Sequence, residues 1–363
     1  MLKNMSITDK ESQLCTKKFL VIGDPHFKTS NVVDTDDFIE KTIALAVQQQ
    51  PEFIIILGDV LHEHERLHTI PLNKAYRFIK SMAAISKTFV LVGNHDLINN
   101  QQFLTQEHWM NGMKDWDNTT IVDSPTIHHI DEYNFFVLCP YVPNGRFIEA
   151  LNVSNIQHSS SDASATTVWG AAGCPAPYWQ SANVIFAHQE FMGCKMGAID
   201  SHDGDVWDKS FPPVISGHIH SNQKILDGHI YYPGSAMQNA FGDPHNILPI
   251  IDLRLRREIP STLFRIGDAD ASAGTPQHIN PDDCYQCIEI DLGLKKKRIV
   301  YLDLDVVSGL DGEASLSTDL DKLMNSKDDI KLSLSGDYND FKVFLKTQKC
   351  KELLTAGVKV VYK

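Results

Sequence analysis

The stretch Phe19-Leu20-Val21-Ile22-Gly23-Asp24-Pro25-His26 runs an unbroken apolar segment into a glycine and then two side chains able to bind a metal. Apolar runs without polar alternation mark strands covered on both faces, as in parallel sheets flanked by helices. The same phrase recurs four times downstream. Phe53 to Leu57 leads into Gly58-Asp59, Phe89 to Val92 into Gly93-Asn94, Val184 to Ala187 into His188, and Val214 to Ser216 into Gly217-His218. Between the first three runs lie two segments of helical length. Asp36 to Gln50 opens on an Asp cap, and Pro71 to Ser86 has proline in its first turn. This β-α-β-α-β order predicts a parallel sheet, and in such layers chemistry collects at the carboxyl ends of the strands.

From about Asn134 the pattern changes to short strands, Phe135 to Leu138 being the clearest. Asn152 to Gln180 is rich in Ser, Ala and Thr, has no sustained period, and reads as a loop or insertion. After Tyr232 come Pro233-Gly234-Ser235 and a strand near Ile247 to Leu255. The loose segment Asp268 to Asp283 predicts a domain boundary. Beyond it Ile330, Leu332 and Leu334 alternate with polar residues, a helix spans about Asn339 to Leu354, and Gly357 ends it before Val358 to Tyr362. The predicted division is a flexible N-terminus over 1–17, a main domain over 18–265, a linker over 266–282 and a small α+β domain over 283–363.

Composition agrees with a globular chain. With 363 residues, 42% hydrophobic and 22% charged, it suggests two or three compact units and excludes a disordered or fibrous protein. Seven scattered cysteines, with Cys284-x-x-Cys287 the only close pair, favour ordinary thiols in a reducing compartment. No apolar stretch reaches the roughly 18 residues of a membrane span, and the opening residues are polar, so the expectation is an intracellular protein, cytoplasmic or nuclear, without a membrane partner. The formal charge of −13, from 33 Lys and Arg against 46 Asp and Glu, argues against a broad basic face. Lys295-Lys296-Lys297-Arg298 is the local exception, read first as a solvated turn and second as a contact for phosphate.

The strand ends deliver Asp24, His26, Asp59, Asn94, His188, His218 and His220. Asp24 with His26, and His218 with His220, are i,i+2 pairs, so in extended chain both members of a pair face one side. A donor set of oxygen and nitrogen without thiolate suits Mn²⁺, Fe or Zn²⁺, with Mg²⁺ also admissible. Seven ligands exceed the needs of one ion with an open position. They suit two ions about 3.5–4 Å apart, bridged by a carboxylate, which clamp the attacking and leaving oxygens of phosphoryl displacement. His64-Glu65-Arg66-Leu67-His68 fits the zinc-protease pattern, but Pro71 leaves too short a helix and a third ligand is missing, so it reads as a histidine-rich loop near the groove.

Asp24-x-His26, Gly58-Asp59-x-x-His62, Gly93-Asn94-His95-Asp96, His188 and Gly217-His218-x-His220 together resemble the ordered motif set of calcineurin-like metallophosphoesterases. The resemblance implies a two-layer β-sandwich core flanked by helices, of α/β class, with the small C-terminal domain as a cap. It assigns Asp24, His26, Asp59 and His220 to one ion and Asp59, Asn94, His188 and His218 to the other, with Asp59 as bridge. His95 becomes the residue that stabilises the pentacoordinate phosphate or protonates the leaving oxygen, Asp96 orients it, and His62 supports the site from behind. A non-catalytic scaffold on this fold would be expected to have lost some of these residues, and all are present. Tyr231-Tyr232-Pro233-Gly234-Ser235, with Phe241-Gly242-Asp243 and the C-terminal unit, further resembles the SbcD branch of recombination and repair nucleases. That resemblance implies a two-metal exo- or endonuclease acting on DNA, with an SbcC-type ATPase or a second copy of the chain as further partners. A phosphatase or small-molecule phosphodiesterase of the same superfamily is the alternative.

Overall fold

The computed structural model describes residues 15–64, 66–153, 157–158, 177–243, 246–257, 279–304 and 320–363. The chain divides into two compact units, Met1–Met237 with Asn246–Leu292, and Gln238–His245 with Gly293–Lys363.

In chain order the first unit carries β1 (Thr16–Ile22), α1 (Val32–Gln49), β2 (Phe53–Ile56), α2 (Thr69–Ile85), β3 (Lys87–Leu91), β4 (Thr119–Val122), β5 (Thr126–His129), β6 (Phe135–Cys139), α3 (Phe147–Leu151) and β7 (Gln157–His158). It continues with β8 (Val184–His188), β9 (Lys195–Met196), β10 (Ile199–Asp200), β11 (Val214–Gly217), β12 (Gln223–Ile225), β13 (Ile230–Tyr232), β14 (Leu248–Arg254), α4 (Pro281–Cys284) and β15 (Tyr285–Ile290). One sheet has the order β15-β14-β1-β2-β3-β4 and a second the order β12-β13-β11-β8-β6-β5-β7. β1 to β4 are mutually parallel, as are β6, β8, β11 and β13. The unit is the expected α/β arrangement of two sheets with flanking helices.

The apolar runs are continuous because both faces of the central strands are buried. Phe19, Val21, Phe89 and Leu91 point at the second sheet, where they meet Phe136, Leu138, Phe186 and Tyr231. The alternate residues Leu20, Ile22, Ile54 and Ile56 are fully buried on the helix side, with Phe38 and Phe78 of α1 and α2. Each such side chain contributes roughly 1.5–3 kcal/mol on burial. The outer face of the second sheet packs on Phe147, Trp179, Phe191 and Trp207.

Several boundaries differ from the sequence expectation. α1 starts at Val32 rather than Asp36, because the short turn Thr29–Asn31 feeds directly into it. Asp36 is freed from capping and pairs with Lys74 and Arg77 of α2. β15, placed by sequence with the C-terminal domain, pairs antiparallel with β14 as the edge of the first sheet, so the division between units falls after Leu292. Residues 268–278, and most of Asn152 to Gln180, lie outside the described residues. No helix among the described residues is long and apolar enough to cross a membrane.

The second unit carries β16 (Lys297–Asp303), β17 (Asp329–Ser335), α5 (Tyr338–Phe344), α6 (Gln348–Thr355) and β18 (Lys359–Tyr362), with the strands in parallel order β16-β17-β18. The single helix expected over 339–354 is two. Thr347 starts the second, its hydroxyl accepting from Cys350 N at 3.2 Å while donating to Phe344 O at 2.7 Å.

His128 of β5 lies among Phe53, Phe89 and Phe136, each ring centre 5.1 Å away. Burial, reinforced by the nearby Lys87 cation, pushes its pKa down to about 4. An unfolded chain therefore binds a proton that the folded form refuses, and stability falls as pH drops from about 6.5 towards 4. His128→Phe is expected to narrow the loss of unfolding free energy between pH 8 and pH 5 by about 1–2 kcal/mol, read by urea denaturation. An unchanged difference would remove His128 as the source.

Candidate metal centre

The predicted ligands follow the ends of β1, β2 and β3 in one sheet and of β8 and β11 in the other. His26, Asp59 and His218 have left-handed backbones, with φ of 50°, 49° and 78°. Such strain in non-glycine residues persists where the surroundings over-determine it, typically at functional sites. The glycine at 93 is required sterically, since a Cβ there would overlap the backbone nitrogen and carboxylate of Asp59 and come within 2.9 Å of His188 Cε1.

The seven side chains converge as two clusters. Ligand atoms of Asp24, His26 and His220 lie within 4.8 Å of one another, and so do those of Asp59, His188 and His218. Asn94 joins the second cluster, its Oδ1 3.0 Å from His188 Nε2 and 2.9 Å from His218 Nδ1. Asp59 Oδ2 stands between them, 3.6 Å from His26 Nε2 and 3.4 Å from His188 Nε2. Ligand atoms of His26, His62 and His95 form a third group within the same 4.8 Å, one that the sequence resemblance did not assign to an ion.

The donor chemistry fits two cations. Asp24 Oδ1 is buried and accepts no hydrogen bond, and the Nε2 atoms of His26 and His220 face each other at 2.8 Å. Two imidazole lone pairs at that distance repel unless a proton or a cation lies between them. Burial raises the Asp24 carboxyl to about 7, against the pull of His188. Burial opposes charge on His188 as well, but the Asp59 and Asp24 carboxylates outweigh it and raise its pKa to about 9. Burial and the neighbouring His188 hold His218 down at about 3. A cation taking the place of the His188 proton would release that proton, as metal binding to His and carboxylate ligands does.

His95 has a defined orientation. Its Nδ1 donates to the His62 carbonyl at 2.6 Å, which leaves Nε2 for substrate, and its backbone nitrogen donates to Asp59 Oδ1 at 2.8 Å. Asp96, expected to orient His95, does something else. Its Oδ2 accepts from the backbone nitrogens of Asp59 and Gly93 at 2.8 and 3.0 Å, and its Oδ1 from Trp109 Nε1 at 2.8 Å. It ties the end of β2 to the end of β3, because the turn after Gly93 aims the carboxylate inwards. The His62 ring adds to the site itself, with Nδ1 3.4 Å from His26 Nδ1.

A profile of calcineurin-like phosphoesterases matches residues 17–222, which contain all seven ligands and His95. This chain belongs to the calcineurin-like phosphoesterase family. Two viral relatives carry the same description in provisional form. "Putative phosphoesterase 244L" of Invertebrate iridescent virus 6 is 49% identical over 226 residues, which cover 62% of this chain and 72% of the relative. "Putative phosphoesterase 078R" of Invertebrate iridescent virus 3 is 38% identical over 359 residues, covering 99% of this chain and 87% of the relative. The solved structure of Yfce, a phosphoesterase from E. coli, aligns over 66% of this chain and 92% of its own at 11% identity and a TM-score of 0.31, too weak a likeness to carry an argument.

Three residues of the phosphoesterase site had no role assigned from the sequence, although the loop of His64 was expected near the groove. His64, set aside with the protease-like pattern, stacks on His95 with ring centres 4.4 Å apart. Its i,i+2 spacing from His62 was the available signal. Glu190 Oε2 lies 3.9 Å from His218 Nε2, and its i,i+2 spacing from His188 was a comparable hint. Trp109 had none, since its contact with Asp96 exists only once the loop after β3 is folded. Gly93→Ala is expected to keep the fold at reduced stability while weakening Mn²⁺ binding roughly 10- to 100-fold in calorimetry. Wild-type affinity in this variant would show that the close approach of Gly93 to Asp59 is dispensable.

Proposed function

We propose that this phosphoesterase hydrolyses phosphodiester bonds of DNA, as an exo- or endonuclease of the SbcD type in repair, recombination or replication, using two divalent ions of which Mn²⁺ is the first candidate. The observation that carries the reading is the attachment of the Tyr231-Tyr232-Pro233-Gly234-Ser235 segment to the metal ligands. Ser235 N donates to His220 O at 3.0 Å and Ala236 N to Gly23 O at 2.8 Å. A Cβ on Gly23 would overlap the carbonyl of Gly234, so the turn and the Asp24 loop are in close contact. The motif that resembles the nuclease branch is thereby built into the rim of the ligand cage.

When bound, the ion pair supplies positive charge that polarises phosphoryl oxygens and makes water nucleophilic near neutral pH. Asp24, His26, Asp59 and His220 would hold one ion, and Asp59, Asn94, His188 and His218 the other. His95, with Nδ1–H fixed on the His62 carbonyl, presents Nε2 to donate a proton to the leaving oxygen or to stabilise the crowded phosphorus. The stacked ring of His64 and the edge of His26, 4.9 Å away, hold it in that plane. Tyr231 and Tyr232, whose hydroxyls are bonded to Glu289 and Gln189, act as core residues beneath the turn rather than as stacking platforms.

The test is cleavage of linear double- and single-stranded DNA with Mn²⁺. His95→Ala is expected to lose roughly 10²- to 10⁴-fold in rate with metal content retained. Equal rates would refute the role given to His95, while hydrolysis of p-nitrophenyl phosphate with none of DNA would select the phosphatase reading. A chain ended after Leu292, which keeps β15, is expected to hydrolyse bis-p-nitrophenyl phosphate at near wild-type rate and to cleave DNA poorly. Undiminished DNA cleavage would separate the C-terminal unit from substrate handling.

A further inference from the structure

The group formed by His26, His62 and His95 is already built into the backbone. His62 and His95 are nearly parallel, at 11° with ring centres 5.5 Å apart, and His26 stands almost perpendicular to both, its centre 5.1 and 4.9 Å from theirs. His26 N donates to Asp59 O at 3.0 Å, Phe27 N to Val60 O at 2.8 Å and His62 N to Phe27 O at 3.2 Å, so the segments carrying His26 and His62 run side by side as a short ladder. His95 is tied to that ladder through Nδ1, which donates to the His62 carbonyl. The carbonyl belongs to the main chain, so the hydrogen bond that orients His95 does not use the His62 ring.

The ring nitrogens divide between two directions. His26 Nε2 faces His220 Nε2 at 2.8 Å, inside the first ligand cluster, while His26 Nδ1 faces His62 Nδ1 at 3.4 Å. His95 has Nε2 left once Nδ1 is engaged. A hydrogen bond between His26 and His62 alone would account for that pair, but not for the approach of a nitrogen of His95 to both. Three imidazoles without a carboxylate make a softer donor set than either ligand cluster, each of which contains an aspartate. Mn²⁺ and Mg²⁺ favour oxygen, whereas imidazole suits Zn²⁺, Ni²⁺ and Cu²⁺, which also bind nitrogen more tightly along the divalent series. His62 and His95 are half-buried, which leaves an ion a path from solvent.

We propose that His26, His62 and His95 bind a third, transition-metal ion of the Zn²⁺, Ni²⁺ or Cu²⁺ class, and that this ion suppresses hydrolysis. It takes the His95 nitrogen that otherwise serves the leaving oxygen. It also replaces the proton between His26 Nδ1 and His62 Nδ1, which passes to solvent. His26 then joins two ions through its two nitrogens as an imidazolate, whose negative charge offsets part of their repulsion. Mn²⁺, poorly matched to three nitrogens, fills the catalytic pair and leaves this site empty. The inference rests on the role given to His95 and adds regulation to that site: the ion that stops hydrolysis and the ions that support it differ in the donors they prefer.

The experiment is equilibrium dialysis of the metal-free full-length chain against Zn²⁺, with bound metal counted by plasma mass spectrometry and hydrolysis of bis-p-nitrophenyl phosphate followed in the same samples. The wild type is expected to take up a third equivalent beyond the catalytic pair and to lose roughly 10²-fold or more in rate as it does so. With Mn²⁺, uptake is expected to stop at the pair and the rate to hold. His62→Ala and His62→Gln keep the main-chain carbonyl that orients His95. Each is expected to weaken the third equivalent alone by roughly 10- to 100-fold and to shift the inhibition, relative to its own maximal rate, by the same factor. An unchanged thermal transition checks that the variants fold, and the wild-type counts need no variant. Uptake of the pair only, a third equivalent held as tightly by folded His62 variants, or a third equivalent that leaves the rate unchanged would each overturn the proposal. A His62-dependent third equivalent that stops bis-p-nitrophenyl phosphate hydrolysis in a chain that cleaves no DNA would sink the nuclease reading alone. DNA cleavage with Mn²⁺ by a chain that takes up no third Zn²⁺ would sink this inference alone.

Discussion

Two carboxylates, Asp24 and Asp59, are buried beside four histidines at the meeting point of two sheets, and their charge must be balanced there because water cannot do it. The rest of the first unit is arranged around this constraint. Backbone nitrogens carry part of the load: His218 N donates to Asp24 at 2.8 Å and His95 N to Asp59 at 2.8 Å. His188 carries another part, donating from Nδ1 to the Leu57 carbonyl at 2.7 Å while its Nε2 faces Asp59 and Asn94. What those groups leave unbalanced is the electrostatic demand that divalent cations meet.

Such a cage needs rigidity, and the two-sheet core supplies it. The strands that carry the ligands are apolar on both faces, so neither sheet can shift without opening a void among Phe19, Phe136 and Phe186, whose rings lie 5.2–5.7 Å apart. The left-handed residues at the strand ends are held in place by that packing. Asp96 and Trp109 extend the same logic outward, since a buried carboxylate that fixes two loop nitrogens is itself fixed by an indole N–H. The metal ligands thus sit at the ends of strands buried on both faces, whereas the C-terminal unit has a separate core.

Much of the site was legible in the sequence because its signals are local. A continuous apolar run, a glycine and an i,i+2 pair of polar residues depend on the chain's own periodicity, and so Asp24, His26, His218 and His220 could be named without knowing which strand lies beside which. His64, Glu190 and Trp109 were not legible in that way, because their roles depend on loops that cross the site from elsewhere. Asp96 was legible as a site residue and its task was not, since the direction of its side chain is set by the turn after Gly93.

By itself the sequence determined the α/β class, the parallel order at the start of the chain and the residues available to hold metal, all of which follow from short-range steric and hydrophobic patterns. Only the tertiary structure decided that β15 closes the first sheet, that the last helix breaks at Thr347, and that Asp96 holds the backbone of Asp59 and Gly93. Those outcomes turn on strand pairing and packing between segments far apart in the chain, where the energy is decided by which surfaces meet, and no local pattern encodes that choice.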